Sequence, residues 1–275
     1  MILFIIDFLQ VLLPFLYFAT VWAYAKAFFS GSAPARKAKT PLLAVTLSAH
    51  LAYLLARTAA FEHPPITSLF EILSVIAFSI SLAYLILEWK TKVKGTGYFI
   101  LNLPFFFQLV SSLLVKDQVY VDPVLRNNLL GIHVSSALLG YAAITISAVY
   151  GFLYLMLYHR IKSNRFGVIY ERLPNLEVLE RLSFVSTAIA FVFLTVAIAV
   201  GLVWLPKAFS DFSYTDPKLV GTVLIWLVYG TGLAARKLAG WYGKRIVILS
   251  IVGFGVAIIS MTLINIFFSG FHNFY

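Results

Sequence analysis

Residues 131–158 read GIHVSSALLGYAAITISAVYGFLYLMLY, 28 residues without an aspartate, glutamate, lysine or arginine. A helix rises about 1.5 Å per residue and the hydrocarbon core of a bilayer is about 30 Å thick, so this run is longer than one crossing needs. It identifies the solvent as lipid. Working outward from this fifth run (129–157), seven more apolar runs lie at about residues 3–27, 41–60, 66–87, 97–115, 183–205, 219–235 and 246–269. The whole chain agrees: of 275 residues 61% are hydrophobic and only 12% charged, with a mean hydropathy of +0.92, against about 25% charged in soluble domains. The expected fold is an all-α integral membrane protein, a bundle of about eight transmembrane helices with both termini outside. We treat residues 1–275 as a single polytopic membrane domain, with helices 1–4 in residues 1–128 and helices 5–8 in residues 129–275. Eight crossings of about 20 residues leave only short connections, so no separate soluble domain fits. The first run carries Asp7 and no basic residue before Lys26. It lacks the charged start of a cleaved signal peptide and is kept as a helix.

Orientation follows from lysine and arginine, which favour cytoplasmic loops. Of the 21 basic residues, sixteen fall in the connections 1–2, 3–4, 5–6 and 7–8, against five on the other side (Arg57, Lys116, Arg126, Lys207 and Lys218). The expected location is therefore a bacterial plasma membrane, with both chain ends on the outer side. The net charge of +10 is then explained by attraction to anionic lipid headgroups, and nucleic-acid binding is not needed. With no cysteine, disulfides, thiolate metal sites and thioether attachment of a haem to this chain are excluded. The connection 158–182 is long enough for a surface helix, with Leu173, Leu176, Leu179 and Leu182 as a possible apolar stripe.

Ionisable side chains at membrane depth are costly and mark the places where function is sought. His133 lies about one turn inside the outer end of the fifth run, and His272 just beyond the eighth, so the two should share a depth. Two neutral imidazoles facing each other can ligate a haem iron axially, although interfacial histidines bonded to backbone or water give the same pattern. His50, in the middle of the second run, is a lesser candidate ligand and more simply a packed residue bonded to a neighbouring helix. His63 and His159 read as interfacial. The connection from Trp204 to Lys218 carries Phe209, Phe212 and Tyr214, rings that could form either an interfacial belt or a platform for a porphyrin. Asp216 before Pro217 is an ordinary helix-capping arrangement, and Glu71 suits the start of the third helix by the helix dipole. Gly230-Thr231-Gly232-Leu233-Ala234-Ala235 resembles a dinucleotide-binding loop only in letters, because no strand precedes it; close helix packing explains its small residues. A small-molecule transporter would need a polar path, for which only His50, Glu71 and scattered serines and threonines present themselves.

Residues 131–158, 182–204, the Asp216-Pro217-Lys218 triplet and the closing NIFFSGFHNFY of 265–275 together resemble the cytochrome c assembly family of integral membrane proteins, whose types include CcsA, CcmC and HemX. The likeness covers about the last 145 residues, is extended weakly by Leu69-Phe70-Glu71, and leans to the HemX type. It implies handling of non-covalent, b-type haem at the outer face. His133 and His272 stand where axial ligands are expected; the transfer stops at these two, and Trp204, Phe212, Tyr214 and Asp216 are our own candidates for the surroundings of the macrocycle. The chain departs from the family in two places. The tryptophan-rich loop is reduced to FSDFSYTDPK, and an in-membrane histidine pair is replaced by Tyr84 and Ala234. The expected function is thus to hold haem for cytochrome c biogenesis rather than to act as an enzyme attaching it. Expected partners are haem, membrane lipid, a cytochrome c assembly subunit and apocytochrome c. The alternative is a HemX-like membrane regulator or scaffold that binds a haem-synthesis enzyme through its basic cytoplasmic loops.

Overall fold

The computed structural model describes residues 2–117, 128–208 and 213–267. Every regular element among them is helical: α1 (Ile2–Ala25), continued by a π-helical turn (Lys26–Ser30), α2 (Ala33–Phe61), α3 (Leu69–Thr91), α4 (Gly97–Leu114), α5 (Asn128–Lys162), the short α6 (Val168–Arg172), α7 (Leu176–Ala208), α8 (Pro217–Ala239) and α9 (Lys244–Phe267). Among the described residues seven helices are long and apolar enough to cross a membrane, and α9, 24 residues long, occupies the eighth expected run. Large apolar side chains such as Phe4, Phe15, Leu55 and Phe152 point outward, as lipid permits. The protein is an all-helical, multi-pass membrane protein.

The helices form two compact units, Met1–Arg126 with Phe166–Pro174, and Asn127–Arg165 with Asn175–Tyr275. In the first, Ile6 and Leu13 of α1 pack with Tyr53 and Leu54 of α2. In the second, Ala143 and Ile144 of α5, Ala190 and Leu194 of α7, Ile225 and Tyr229 of α8 and Ala257 of α9 make the core. A hydroxyl cluster joins the same helices. Ser147 Oγ donates to the Ser183 carbonyl at 2.8 Å, Ser147 and Thr187 share a bond of 2.8 Å, Thr187 and Ser250 one of 3.1 Å, and Tyr229 donates to the Ser250 carbonyl at 3.2 Å. Such bonds hold helices together where lipid provides no hydrophobic drive. Gly230 and Gly232 do pack closely, since a Cβ on either would come within 2.9 Å of Phe191 or Leu249.

Two expectations are corrected. The second helix begins at Ala33, not near 41, because the Ser32 hydroxyl caps it and Pro34 suits its first turn. The single surface helix expected over 158–182 is three pieces. Asn164 takes the left-handed conformation (φ 52°) after α5, Pro174 follows α6, and the Asn175 side chain accepts a bond from Val178 N at 2.9 Å at the start of α7. Leu173 consequently belongs to the first unit, and Leu179 and Leu182 to the second.

The α6 segment completes the first unit. Arg172 donates to the Phe28 carbonyl in the π-helical turn, and a Cβ at Gly95 would lie 2.5 Å from the Arg172 carbonyl oxygen. Gly95→Ala is expected to undock this segment, as overpacking costs about 1–3 kcal/mol. The chain has no cysteine, so a single Leu173→Cys reports directly. Leu173 is 7% exposed, and its maleimide labelling should rise at least about fivefold beside Gly95→Ala, the population change that this cost implies. Equal labelling rates in the two backgrounds would show that the joint tolerates the methyl group.

Candidate functional site

The first unit buries charged as well as polar side chains, among them Lys39, His50, Arg57, Glu71, Glu88 and Gln108. At its centre His50 is fully buried. Its Nδ1 lies 2.9 Å from the Tyr17 hydroxyl and its Nε2 2.9 Å from Ser74 Oγ. Ser74 donates its proton to Gln108 Oε1 at 2.8 Å, and Gln108 Nε2 donates to Ser112 Oγ at 3.0 Å. Because the Ser74 proton is committed, Nε2–H of His50 must be the donor to Ser74, and Nδ1 must accept from Tyr17. Both nitrogens are used, so the geometry fits the packed, hydrogen-bonded histidine and leaves no lone pair for a metal.

Charged pairs lie on either side along α2 and α3. Arg57, 2% exposed, bonds Glu71 at 3.0 Å and the exposed Asp117 at 3.1 Å. Glu71 also accepts from the backbone and hydroxyl of Thr67 at 2.9 and 2.7 Å, a structural role at the start of α3. At the other end, Glu88 accepts from Tyr24 at 2.8 Å and Thr40 at 2.6 Å and lies 3.6 Å from Lys39. The sequence by itself offers only scattered polar residues here. Lys39 and Glu88 in particular count in the sequence only as charges on the inner side, because 49 positions separate them and their pairing depends on tertiary contact.

His133 presents a different case, in the second unit. Its Nδ1 lies 2.8 Å from the carbonyl oxygen of Ala197. A carbonyl can only accept, so Nδ1 carries the proton and the lone pair of the neutral ring is on Nε2. This is how a metal-binding histidine is oriented, with its second nitrogen held by a backbone acceptor. One turn along α7, Gly201 makes room for the ring: a Cβ there would lie 2.9 Å from His133 Cε1 and 3.0 Å from Nδ1. Ala197, Gly201 and Trp204 share one helix face by their spacing, and all three are buried. Ala197 and Gly201 were missed by sequence reasoning; a glycine three residues before the tryptophan was the available signal.

The remaining candidates divide. Tyr214 is 66% exposed. Asp216 is buried and caps α8, its carbonyl accepting from Val220 N at 3.0 Å and its carboxylate from Leu219 N at 3.4 Å, as the capping reading expects. Phe212 and His272 lie outside the described residues. His159 is exposed, whereas His63, in the connection between α2 and α3, is buried and donates from Nδ1 to the Pro64 carbonyl at 2.9 Å. Tyr84 is fully buried against the Tyr24 ring and Gly97, and Ala234 is exposed. Neither supplies an imidazole at the positions where the resemblance expects one.

A helical membrane protein with a backbone-oriented histidine near one end of a long helix is the class that fold and site define, and the family model for the cytochrome c assembly protein matches residues 40–272. The chain belongs to the cytochrome c assembly protein family. It is 30% identical to the cytochrome c biogenesis protein CcsA of Prochlorococcus marinus (strain NATL2A) over 284 aligned positions, covering 92% of this chain and 88% of that protein. CcsA of Guillardia theta is 28% identical, covering 76% of each chain, and CcsA of Porphyra purpurea is 26% identical, covering 84% of this chain and 83% of that protein. The expected leaning to the HemX type gains no support from these relatives.

Proposed function

We propose that this protein handles haem during cytochrome c maturation, holding it non-covalently at the outer end of the second unit between His133 and His272. The observation that carries this reading is the Nδ1–H bond from His133 to Ala197, which leaves the Nε2 lone pair for iron. Haem supplies the group that a c-type apocytochrome receives; the chain's own part is to bind and orient it. Gly201 makes room for the imidazole, Trp204 offers an apolar surface beside it, Phe212 and Tyr214 pack against the macrocycle, and Asp216 fixes the start of α8. His50 takes no part as a ligand.

The basic bias of the connections supports an orientation with both ends outside, and we place the protein in a bacterial plasma membrane. Apocytochrome c and an assembly subunit are the proposed partners. Without imidazoles at Tyr84 and Ala234, the protein holds haem and does not itself form the covalent attachment. Family membership and relatives named for cytochrome c biogenesis favour this reading over a regulator of haem synthesis. The test is the absorption spectrum of the detergent-purified protein with added haem. A six-coordinate, bis-histidine spectrum in both redox states is expected; a protein that folds and stays colourless overturns the proposal.

A further inference from the structure

Where the start of α2 meets the end of α3, a cleft of about 720 Å³ opens in the first unit. Four cations line it, Arg36, Lys37, Lys92 and Lys94, together with a single acid, Glu88. Glu88 is already occupied by Tyr24, Thr40 and Lys39. Among the described residues none of the four cations is ion-paired, so with Glu88 committed to Lys39 the cleft keeps four cations without an acid partner. A second cleft of about 610 Å³ shares Arg36 and Lys94 and adds Arg172 and Lys39, extending the same field.

The other wall is apolar. Pro41, Ile86 and Trp89 line it, and Ile86 and Trp89 are 45% and 68% exposed on a helix long and apolar enough to cross a membrane. Val45, one turn below Pro41, is also exposed, so on α2 the apolar surface continues a turn below the cleft. Lys92 Nζ lies 5.8 Å from the centre of the Trp89 ring, and tryptophan at the end of a span marks headgroup level. Cations above, an indole at the edge and an apolar track below match the parts of one molecule in order: phosphate, glycerol and acyl chain.

We propose that this cleft is a specific site for an anionic phospholipid, the phosphate held by Arg36, Lys92 and Lys94 and the acyl chains laid along Ile86 and Val45. A soluble anion would use the cations but not the track. A basic cleft between transmembrane helices is a recognised form of headgroup recognition.

The test uses the full-length protein, delipidated in neutral detergent and examined by native mass spectrometry with added phosphatidylglycerol or phosphatidylcholine. One tightly held phosphatidylglycerol is expected, with phosphatidylcholine bound much more weakly. Each basic residue near an anionic headgroup is worth roughly fivefold in affinity, so Arg36→Gln/Lys92→Gln/Lys94→Gln should lose on the order of a hundredfold. Lys90→Gln, a neighbouring exposed lysine outside the cleft, should bind as the parent does. Lys92→Gln alone, with an expected loss of about fivefold, keeps the test readable should the triple variant be unstable. Equal binding of the two lipids, unchanged binding by the variants, or displacement of the lipid by equimolar inorganic phosphate or ferric protoporphyrin would each overturn the proposal.

Discussion

His133→Ala is expected to lower haem affinity at least about hundredfold and to abolish the six-coordinate spectrum. Even changes to the groups that orient a metal-binding histidine cost about 10–100-fold, and here a ligand itself is removed. Gly201→Ala is the sharper companion. It alters no ligand, but its methyl group would lie 2.9 Å from His133 Cε1, turning the imidazole away from the Ala197 carbonyl. Its expected loss is within that 10–100-fold range. His50→Ala should behave in the opposite way, keeping the haem spectrum while lowering stability, since both of its nitrogens serve the helix contacts. Titrating haem into the parent and these three variants, each checked for insertion and helix content, separates the two histidines. Spectral loss in His50→Ala with none in His133→Ala would reverse the assignment.

Arg57→Met should produce the largest loss of stability, about 3–5 kcal/mol, because it strands a buried carboxylate. Arg57 and Glu71 are both buried and 3.0 Å apart. Asp117 adds little, its side chain being 51% exposed and its contribution screened by solvent. The second substitution Glu71→Leu should restore about half of the loss, since a buried pair can be replaced by apolar groups with little penalty but Thr67 then loses the acceptor for its backbone and hydroxyl protons. Unfolding in mixed micelles by added SDS gives the comparison. A loss below about 1 kcal/mol for Arg57→Met would mean that the pair behaves like a surface ion pair.

The membrane spans were legible because lipid demands long apolar runs, and the runs read from the sequence fall on the helices found. The start of α2 was not, because Arg36, Lys37 and Lys39 look like a loop by hydropathy. Only the Ser32 cap and the burial of Lys39 beside Glu88 explain their helical state. The break in 158–182 could have been read from Asn164 and Pro174. His133 could be singled out by its depth near the end of a span and by the resemblance. Its protonation state was not, since the Ala197 carbonyl that sets it is 64 residues away in sequence, and no local pattern announces such a bond. The polar interior of the first unit was hidden for the same reason: its residues are spaced by turns along four helices and become a network only when packed.

The docking of Phe166–Pro174 against Gly95 and the Phe28 carbonyl bears on biogenesis. The piece that finishes the first unit leaves the ribosome only after α5, so the four opening helices wait, once inserted, for a later part of the nascent chain. A product cut between α4 and α5 would leave that surface uncovered, and supplying the second half as a separate polypeptide should restore it. Residues 166–174 therefore reach the early half only after α5 has been synthesised, so the order of the chain fixes the order in which the first unit is completed.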